Sequence, residues 1–438
     1  MTETPPAPKA TAPNAIAAVS EARQWDRLMA MAKLGAFRGV DGSEGVNRAC
    51  LTPLDREARR LLIGWATAIG LAPSIDALGN LFLRHEGTEP GLAPVLAGSH
   101  MDSQPAGGRF DGIWGVLAAL EAVQALREAG IATRRPIEVV AWTNEEGGRF
   151  APGCMGSMAY AGNSPADAWD AVVDGEGIRF GDALREHLAA EADLPRRPLG
   201  VVGGQAPHAY VECHIEQGPR LETEGQDIGI VTGIQGSRWF LVELLGASAH
   251  AGTAPLSLRK DAVQDMVRAI AALNALMDDP TDVLRFTVAR IEVYPNSSNS
   301  VAERVRFTID FRHPAAKVLL DRGGRIEPTI RAAVRHCAVT VTERFHALPV
   351  EFDPMVTEAV ARAATAQGLR ALRMPSGAFH DAQFMVPLCP SGMIFIPSRH
   401  GISHNPAEYS SPEQVAKGAR VLAQVLAELA DLAELAEG

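Results

Sequence analysis

The sequence predicts an α/β fold, with a mostly parallel sheet in the main domain and an inserted domain of the ferredoxin-like βαββαβ type. Between Pro94 and His214, continuous apolar runs typical of buried parallel strands alternate with helix-like segments. After Ile230 the pattern becomes strand, helix, two strands, helix and strand, which is the split βαβ order. A chain of 438 residues is also too long for one ordinary core, so two domains are expected.

Apolar runs that end in polar clusters predict the strands of the main domain. These runs cover residues 93–97, 136–142, 210–213 and 393–396. A helix is expected at 115–128, where apolar residues recur on one face, and Gly130 is a typical stop. A helix at 357–367 and a final amphipathic helix from Pro412 complete this domain.

The inserted domain is predicted from a different pattern. Its strands are expected at 239–245, 284–293, 305–312 and 339–345, and its helices at 259–277 and 318–336. In the third strand apolar and polar residues alternate strictly, which indicates one buried and one polar face. The predicted organisation is a flexible tail at 1–18, a main domain at 19–232 and 348–438, and an inserted domain at 233–347.

Composition limits the classes of protein to which the chain can belong. A net charge of −11 without a dense basic patch argues against nucleic acid or an anionic membrane as the main partner. No apolar run is long enough to cross a bilayer, and residues 1–18 lack the pattern of a secretory signal. Five scattered cysteines without a C-x-x-C pair argue against a disulfide framework, so a cytoplasmic location is expected.

Imidazole and carboxylate side chains follow the ends of the predicted strands. The clusters contain His100, Asp102, Asp111, Glu145, Glu146, His214 and His404. Ligands bind beyond the carboxyl ends of the strands in such sheets, so these side chains are expected to meet there. Mixed nitrogen and oxygen ligands suit a pair of divalent cations such as Zn²⁺, Mn²⁺, Co²⁺ or Ni²⁺. The pattern therefore points to a metal-dependent hydrolase.

Spacing indicates how several of these residues would act. His100 and Asp102 are two apart on an extended segment and face the same way, so Asp102 can hold the second ring nitrogen of His100. Asp111 follows two glycines and can bridge two cations. Glu145 and Glu146 are adjacent and diverge, so one can bind metal while the other takes a proton from water.

Simpler explanations exist for the same residues. His100 and Asp102 could form a buried polar pair, and Asp111 could cap the helix that follows it. The two glutamates could be a solvated pair of charges. The recurrence of such clusters at equivalent strand ends favours the metal site. No G-x-S-x-G supports a serine hydrolase, and no P-loop or G-x-G-x-x-G follows a strand. The cysteines nearest the clusters are more typical of core residues than of a catalytic thiol.

The inserted domain supplies three further candidate residues. His250 lies in a glycine- and alanine-rich segment at 246–252, which suits an imidazole that reaches out and stabilises an oxyanion. Arg312 lies on the polar face of its strand, where a guanidinium can bind a substrate carboxylate through two hydrogen bonds. A solvated strand charge is the alternative for Arg312. Asn299 belongs to the same domain.

Together the motifs resemble those of the M20 metallopeptidase superfamily, and more closely its hydantoinase/carbamoylase amidase branch. That branch includes N-carbamoyl-L-amino acid hydrolases, β-ureidopropionases and allantoate amidohydrolases. The motifs are G-S-H-M-D-S at 98–103, F-D-G at 110–112, T-N-E-E-G at 143–147, H-I-E-Q-G at 214–218, H-A-G-T at 250–253, P-N-x-x-N-x-V at 295–301, D-F-R at 310–312, S-G-A-x-H-D-A at 376–382 and I-S-H-N-P-A-E at 402–408. His214 distinguishes the amidases, because the peptidase branch has an acidic ligand at that place.

The resemblance implies two divalent metal ions per subunit and a general base. The implied ligands are Asp111 for both ions, His100 and His214 for one ion, and Glu146 and His404 for the other. Glu145 would be the general base, and the inserted domain would serve as lid and dimer surface. His250 would stabilise the oxyanion in its own or the partner subunit's site. The implied substrate contacts are Asn299, Arg312, Gln217, Arg238 and His380.

The activity implied is hydrolysis of the carbamoyl (ureido) group of N-carbamoyl-L-amino acids to the amino acid, carbon dioxide and ammonia. The expected partners are a small ureido substrate with a carboxylate and a second copy of the chain. Allantoate amidohydrolase and β-ureidopropionase activities would use the same residues and stay open. A metal-binding module without catalysis is an alternative of another class, and the intact Glu145 argues against it. Peptidase activity is disfavoured by His214.

Overall fold

The structure, a computed structural model, describes residues 12–200 and 206–431. It has a mixed α/β fold with a large central sheet, which confirms that part of the predicted fold class. The chain divides into two compact units, of which the second is Gly233–Val350 and the first contains the residues on either side of it.

The first unit contains the central sheet and the helices that cover it. Its helices are Ala12–Ala18, Glu21–Met31, Pro53–Ala68, Ile113–Glu128, Met155–Tyr160, Phe180–Ala190, Arg220–Thr223, Pro354–Ala366, Ala382–Met385 and Pro412–Asp431, with a 3-10 turn at Arg399–Gly401. Its strands are Ala36–Arg38, Glu44–Val46, Ala72–Ile75, Leu81–His85, Val95–His100, Ile137–Trp142, Ala209–Ile215, Ile228–Ile234, Val350–Glu351, Ala371–Ser376 and Ser391–Ile396.

The middle of the central sheet is parallel and fully buried. Its four neighbouring strands are, in spatial order, Ser391–Ile396, Ala209–Ile215, Val95–His100 and Ile137–Trp142. Every residue of these four strands is buried, because helices such as Ile113–Glu128 pack on the sheet. Since the strands run the same way, their carboxyl ends lie along one edge, and the polar clusters follow those ends.

The prediction of a mostly parallel sheet was wrong outside these four strands. Ile228–Ile234 pairs antiparallel with Ser391–Ile396, and Leu81–His85 pairs antiparallel with both Ile137–Trp142 and Ala72–Ile75. The strands Ala72–Ile75 and Leu81–His85 are joined by a short turn at residues 76–80. Antiparallel neighbours need only such a turn, whereas parallel ones need a crossover connection.

The second unit is built on an antiparallel sheet. The four strands of this sheet in the described residues are, in spatial order, Arg285–Tyr294, Arg304–His313, Gly236–Leu245 and Ala338–Ala347. The helices are Ala262–Leu276, Ala316–Gly324 and Ile326–Ala333, with a 3-10 turn at Leu256–Leu258. Alternate residues of Arg304–His313 are buried, among them Val305, Phe307 and Ile309, as the alternating pattern predicts.

Two sequence-based expectations differ from the structure in local detail. The single helix expected at 318–336 is two helices, because Gly323 and Gly324 weaken the helix where the first one ends. The tail expected to be flexible over 1–18 is helical at Ala12–Ala18, where Ala15 is buried in the core. Alanine is the best helix former, and that segment is rich in it. Residues 1–11 of the expected tail lie outside the described residues.

The cysteines form no disulfide, as their spacing suggested. Each of the five is free, and four of them are buried. Among the helices in the described ranges, none combines the length and the apolar content that crossing a bilayer requires.

Candidate metal centre

Three strand ends and two loops bring the predicted ligands together. His100 ends the strand Val95–His100, His214 lies near the end of Ala209–Ile215, and Glu146 follows Ile137–Trp142. Within the described residues, candidate ligand atoms form three groups, each with its members within 4.8 Å of one another. One group is Glu212, His214 and His380, and the other two contain the predicted ligands. These two groups are His100, Asp111 and His214, and Asp111, Glu146 and His404.

Asp111 belongs to both groups and presents one oxygen to each. Its Oδ1 lies 3.0 Å from His214 Nε2 and 3.6 Å from His100 Nε2. Its Oδ2 lies 3.5 Å from His404 Nε2, which is itself 3.3 Å from Glu146 Oε2. A carboxylate placed this way can bridge two cations, which is the arrangement typical of two-metal hydrolases.

Backbone carbonyl groups orient the two buried imidazoles. His100 Nδ1 lies 2.9 Å from the carbonyl oxygen of Asp102, and His214 Nδ1 lies 2.9 Å from that of Ile215. A carbonyl can only accept, so each Nδ1 carries the proton and each Nε2 is left as a ligand atom. The two histidines therefore present the correct nitrogen to the centre before any ion binds.

The part played by Asp102 differs from the sequence-based expectation. Its backbone carbonyl, and not its carboxylate, holds His100, since Oδ1 is 3.7 Å from His100 Nδ1. The carboxylate accepts hydrogen bonds from the backbone N–H groups of Glu145 and Glu146, each at 3.2 Å. Asp102 thus fixes the segment that carries the two glutamates as well as the first histidine.

The glycine after Asp111 is required by a close approach. Gly112 has a φ of +64°, and a Cβ there would overlap the imidazole ring of His100. A side chain at this position would push the Asp111 turn away from the histidine. The F-D-G motif therefore has a steric basis as well as a chemical one.

Electrostatics support the binding of divalent cations by this donor set. Burial and the neighbouring Asp111 raise the pKa of Glu146 to about 8, and burial raises the pKa of Glu145 well above its usual range. Burial alone would lower the pKa of His100, but the carboxylates of Glu145 and Asp111 raise it well above its usual range. Crowded acids of this kind are stabilised in their ionised form by cations. The residues therefore fit two divalent ions.

Glu145 lies beside the two ligand groups and belongs to neither. Its Oε2 is 3.4 Å from His100 Nε2, and the Cys154 thiol is 3.5 Å from its Oε1. The residue is only 9 % exposed. A buried carboxylate at the edge of a metal centre is well placed to exchange a proton with a water molecule there.

Two of the predicted substrate contacts also lie at this centre. Gln217 donates from Nε2 to Asp111 Oδ2 at 2.9 Å, and its own Oε1 is buried with no hydrogen-bond partner among the described residues. His380 is buried, its ring centroid is 4.4 Å from that of His214, and its Nε2 is 2.9 Å from Ser376 Oγ. Burial and the neighbouring His214 lower the pKa of His380 well below its usual range, which favours the neutral form of the ring.

In the second unit, His250 and Asn299 lie side by side. The short strand Ala249–His250 pairs with Ser300–Val301, and Ala251 N donates to the carbonyl of Asn299 at 2.9 Å. His250 is exposed, and its Nδ1 accepts a hydrogen bond from Gly252 N at 3.0 Å. The proton of the neutral ring is therefore on Nε2, where it can be donated to another group.

The two arginines of the second unit differ in their surroundings. Arg312 pairs with Asp310 along its own strand, with Nη2 2.7 Å from Oδ2. Arg238 forms two hydrogen bonds with Glu343, at 2.6 and 3.0 Å, and stacks over Phe240. Arg238 is also buried, which favours a structural role for it over the predicted contact with substrate.

Gln104 and Asn80 are among the residues that hold the ligand loops and that sequence reasoning missed. Gln104 donates to Glu146 from its backbone N at 3.2 Å and from Nε2 at 2.9 Å. Asn80 is fully buried, and its Oδ1 accepts a hydrogen bond from Thr143 N at the end of the strand Ile137–Trp142. Gln104 lies two residues after Asp102 in the same turn, which is a local signal. Asn80 has no such signal, because its partner is 63 residues away.

The chain is similar to known proteins in sequence and in structure. The model of peptidase family M20/M25/M40 matches residues 96–428. An N-carbamoyl-L-amino-acid amidohydrolase of Rhizobium meliloti is 40 % identical over 423 residues, which covers 95 % of this chain and 98 % of that protein. An allantoate amidohydrolase of Escherichia coli (strain K12) is 37 % identical over 394 residues, which covers 90 % of this chain and 95 % of that protein. The crystal structure of a hydantoinase/carbamoylase family amidase from Burkholderia multivorans matches with a TM-score of 0.85 and 40 % identity. The match covers 94 % of this chain and 98 % of that one.

Proposed function

The chain belongs to peptidase family M20/M25/M40, and from this we propose that it is a metal-dependent amidohydrolase of the hydantoinase/carbamoylase branch. The reaction is hydrolysis of the carbamoyl group of N-carbamoyl-L-amino acids to the amino acid, carbon dioxide and ammonia. Four relatives named N-carbamoyl-L-amino-acid amidohydrolase are 36 to 40 % identical to the chain. The observation that carries the proposal is the carboxylate of Asp111 shared between two ligand groups, with Glu145 beside them.

The metal assignment follows from the two groups. One divalent ion would be held by His100, Asp111 and His214, and the other by Asp111, Glu146 and His404. When bound, the two ions would supply Lewis acidity to the attacking water and to the ureido oxygen. Zn²⁺, Mn²⁺, Co²⁺ and Ni²⁺ all suit these nitrogen and oxygen ligands.

Glu145 moves the proton in the proposed reaction. Its carboxylate accepts a proton from water as the water oxygen bonds to the ureido carbon. The same carboxyl then gives the proton to the amino-acid nitrogen as the bond between that nitrogen and the ureido carbon breaks. The carbamic acid released in this step decomposes to carbon dioxide and ammonia. Every atom of the substrate and of one water molecule is then accounted for.

The second unit would supply substrate recognition. Arg312 would bind the carboxylate of the amino acid, and Asn299 would contact the substrate beside it. His250 would donate its Nε2 proton to the developing oxyanion, in its own subunit or in that of the partner. In this proposal the unit acts as a lid and as the dimer surface of a homodimer.

The experiment that tests the function is an ammonia-release panel. Protein reconstituted with Mn²⁺ or Zn²⁺ would be given N-carbamoyl-L-amino acids, their D-enantiomers as matched controls, N-carbamoyl-β-alanine and allantoate. Each reaction would be repeated after treatment with EDTA. We expect metal-dependent release from an N-carbamoyl-L-amino acid. Release from allantoate alone would instead favour the second candidate, which the Escherichia coli relative supports, and no release from any compound would contradict both.

A further inference from the structure

The two ligand groups of the metal centre are built on very different parts of the chain. His100 and His214 lie in buried strands that the central sheet fixes. His404 comes from a loop between the 3-10 turn Arg399–Gly401 and the helix Pro412–Asp431, and its side chain is 50 % exposed. A ligand on such a loop must be ordered when its ion binds, which costs free energy unless other contacts order it first.

The carboxylate of Glu408 supplies such contacts. The residue is 1 % exposed, and its Oε1 accepts hydrogen bonds from the backbone N–H groups of Phe110, at 2.9 Å, and of Asp111, at 3.0 Å. Its own backbone N donates to the carbonyl of Asn405 at 3.0 Å, which closes a turn directly after His404. Glu408 thus ties the loop of one ligand to the backbone of the shared ligand.

Ser403 makes a second connection between the same two segments. Its Oγ lies 2.9 Å from Asp111 Oδ2 and 3.0 Å from Glu408 Oε2. The residue directly precedes His404 in the chain. The single hydroxyl proton of Ser403 can be donated to only one of these two carboxylates at a time. Glu408 Oε1 already accepts two hydrogen bonds and Oε2 lies against Ser403, so we assign Glu408 no place among the metal ligands.

The steric fit around Glu408 is close. A Cβ at position 108 would overlap the Glu408 carboxylate, so only glycine allows the two loops to approach this way. Beside the polar contacts, the rings of Phe110 and Tyr409 pack edge to face with their centroids 5.8 Å apart. That apolar contact anchors the loop independently of Glu408, so removal of the carboxylate is expected to leave the protein folded.

We propose that Ser403 and Glu408 form a clamp that positions His404 against Asp111 and so sets the affinity of the second metal ion. The ion held by His100, Asp111 and His214 would bind equally well without this Ser403–Glu408 clamp. The inference rests on the proposed two-ion function and goes beyond it by assigning positioning roles to two residues that bind neither metal nor substrate. It also predicts that the two ions differ in how strongly their binding depends on the loop.

The test is calorimetric titration of metal-free protein with Mn²⁺. The variants are Glu408→Ala, Glu408→Gln and Ser403→Ala, with the exposed helix residue Glu413→Gln as the matched control. We expect the wild type and the control to take up two ions. In Glu408→Ala one ion should bind as before, and the other at least tenfold more weakly. Thermal melting of the metal-free proteins would establish that each variant is folded.

Glu408→Gln separates hydrogen bonding from charge. Its amide oxygen can still accept from the two N–H groups, and its amide N–H can donate to Ser403, so we expect the second ion to bind within threefold of the wild type. Equal losses in Glu408→Ala and Glu408→Gln would overturn the clamp, because charge would then be the cause. Unchanged binding in Glu408→Ala, or equal weakening of both ions, would overturn it as well.

Ser403→Ala keeps the inference testable if Glu408→Ala does not fold. This variant should weaken only the second ion, and unchanged binding of that ion would contradict the clamp. Failure of the proposed function gives a different result. Uptake of two ions by a wild type that hydrolyses no ureido compound would refute the function alone. Uptake of a single ion by the wild type would refute both the two-ion centre and the clamp.

Discussion

Replacement of Glu145 by glutamine tests the general base with little change of shape. The amide has nearly the same volume as the carboxylate, but it cannot accept a proton from water. The backbone of Glu145 is held through its N–H by the carboxylate of Asp102, and the substitution leaves that contact in place. The proposed metal ligands are likewise untouched. We therefore expect the variant to fold and to bind two ions.

The size of the expected loss follows from the burial of this side chain. A positioned proton acceptor contributes about 10²- to 10⁴-fold to the rate, which corresponds to ~3–5 kcal/mol of activation free energy. The residue is only 9 % exposed and its Oε2 lies 3.4 Å from His100 Nε2, so bulk water cannot readily take its place as the acceptor. We expect kcat to fall by about 10³-fold or more, within the range given for general bases.

The assay is ammonia release at saturating substrate, with metal content measured on the same preparations. The control is Glu176→Gln, which removes an exposed carboxylate from a surface turn. A Glu145→Gln protein that contains both ions and keeps kcat within tenfold of the wild type would refute the general-base assignment. Loss of one ion together with activity would also refute it, since Glu145 would then act as a ligand.

Two further predictions concern the second unit. Arg312→Ala should raise KM for an N-carbamoyl-L-amino acid by about 10- to 100-fold, because a hydrogen bond to a charged group is lost. The control is the exposed residue Arg344, replaced by alanine. Unchanged KM and kcat in Arg312→Ala would show that Arg312 does not bind the substrate carboxylate. Burial would raise the pKa of Asp265, but hydrogen bonds from three backbone N–H groups at residues 335–337 lower it to about 2. Because the folded pKa lies below the unfolded one, this stabilisation is present above pH 4 and is lost as the pH falls toward 2. Asp265→Asn should therefore lower the free energy of unfolding of this unit in urea by about 2 kcal/mol at pH 7, and by less below pH 4. If the difference in free energy of unfolding between wild type and variant does not change with pH, this explanation is wrong.

Residues carried by the central strands could be predicted from local sequence. A buried parallel strand has a recognisable apolar pattern, and that pattern also predicts where the carboxyl end of the strand lies. His100 and His214 were placed in this way, and the structure brings their Nε2 atoms within 3.6 Å and 3.0 Å of Asp111 Oδ1. The antiparallel strands at the sheet edges were not recognised, because short strands such as Ala72–Ile75 carry little periodicity.

Contacts between distant loops could not be predicted in the same way. The hydrogen bonds from Phe110 and Asp111 to Glu408 join residues almost 300 positions apart, and no spacing rule connects them. The atom through which Asp102 holds His100 depends on the exact path of the backbone, which composition does not determine. Strand ends therefore place the two buried histidines, whereas the long-range hydrogen bonds of the proposed clamp would place the exposed one. In such a metal centre, the affinity for one ion should depend on the sheet. The affinity for the other should depend on how firmly the loop of its exposed ligand is held.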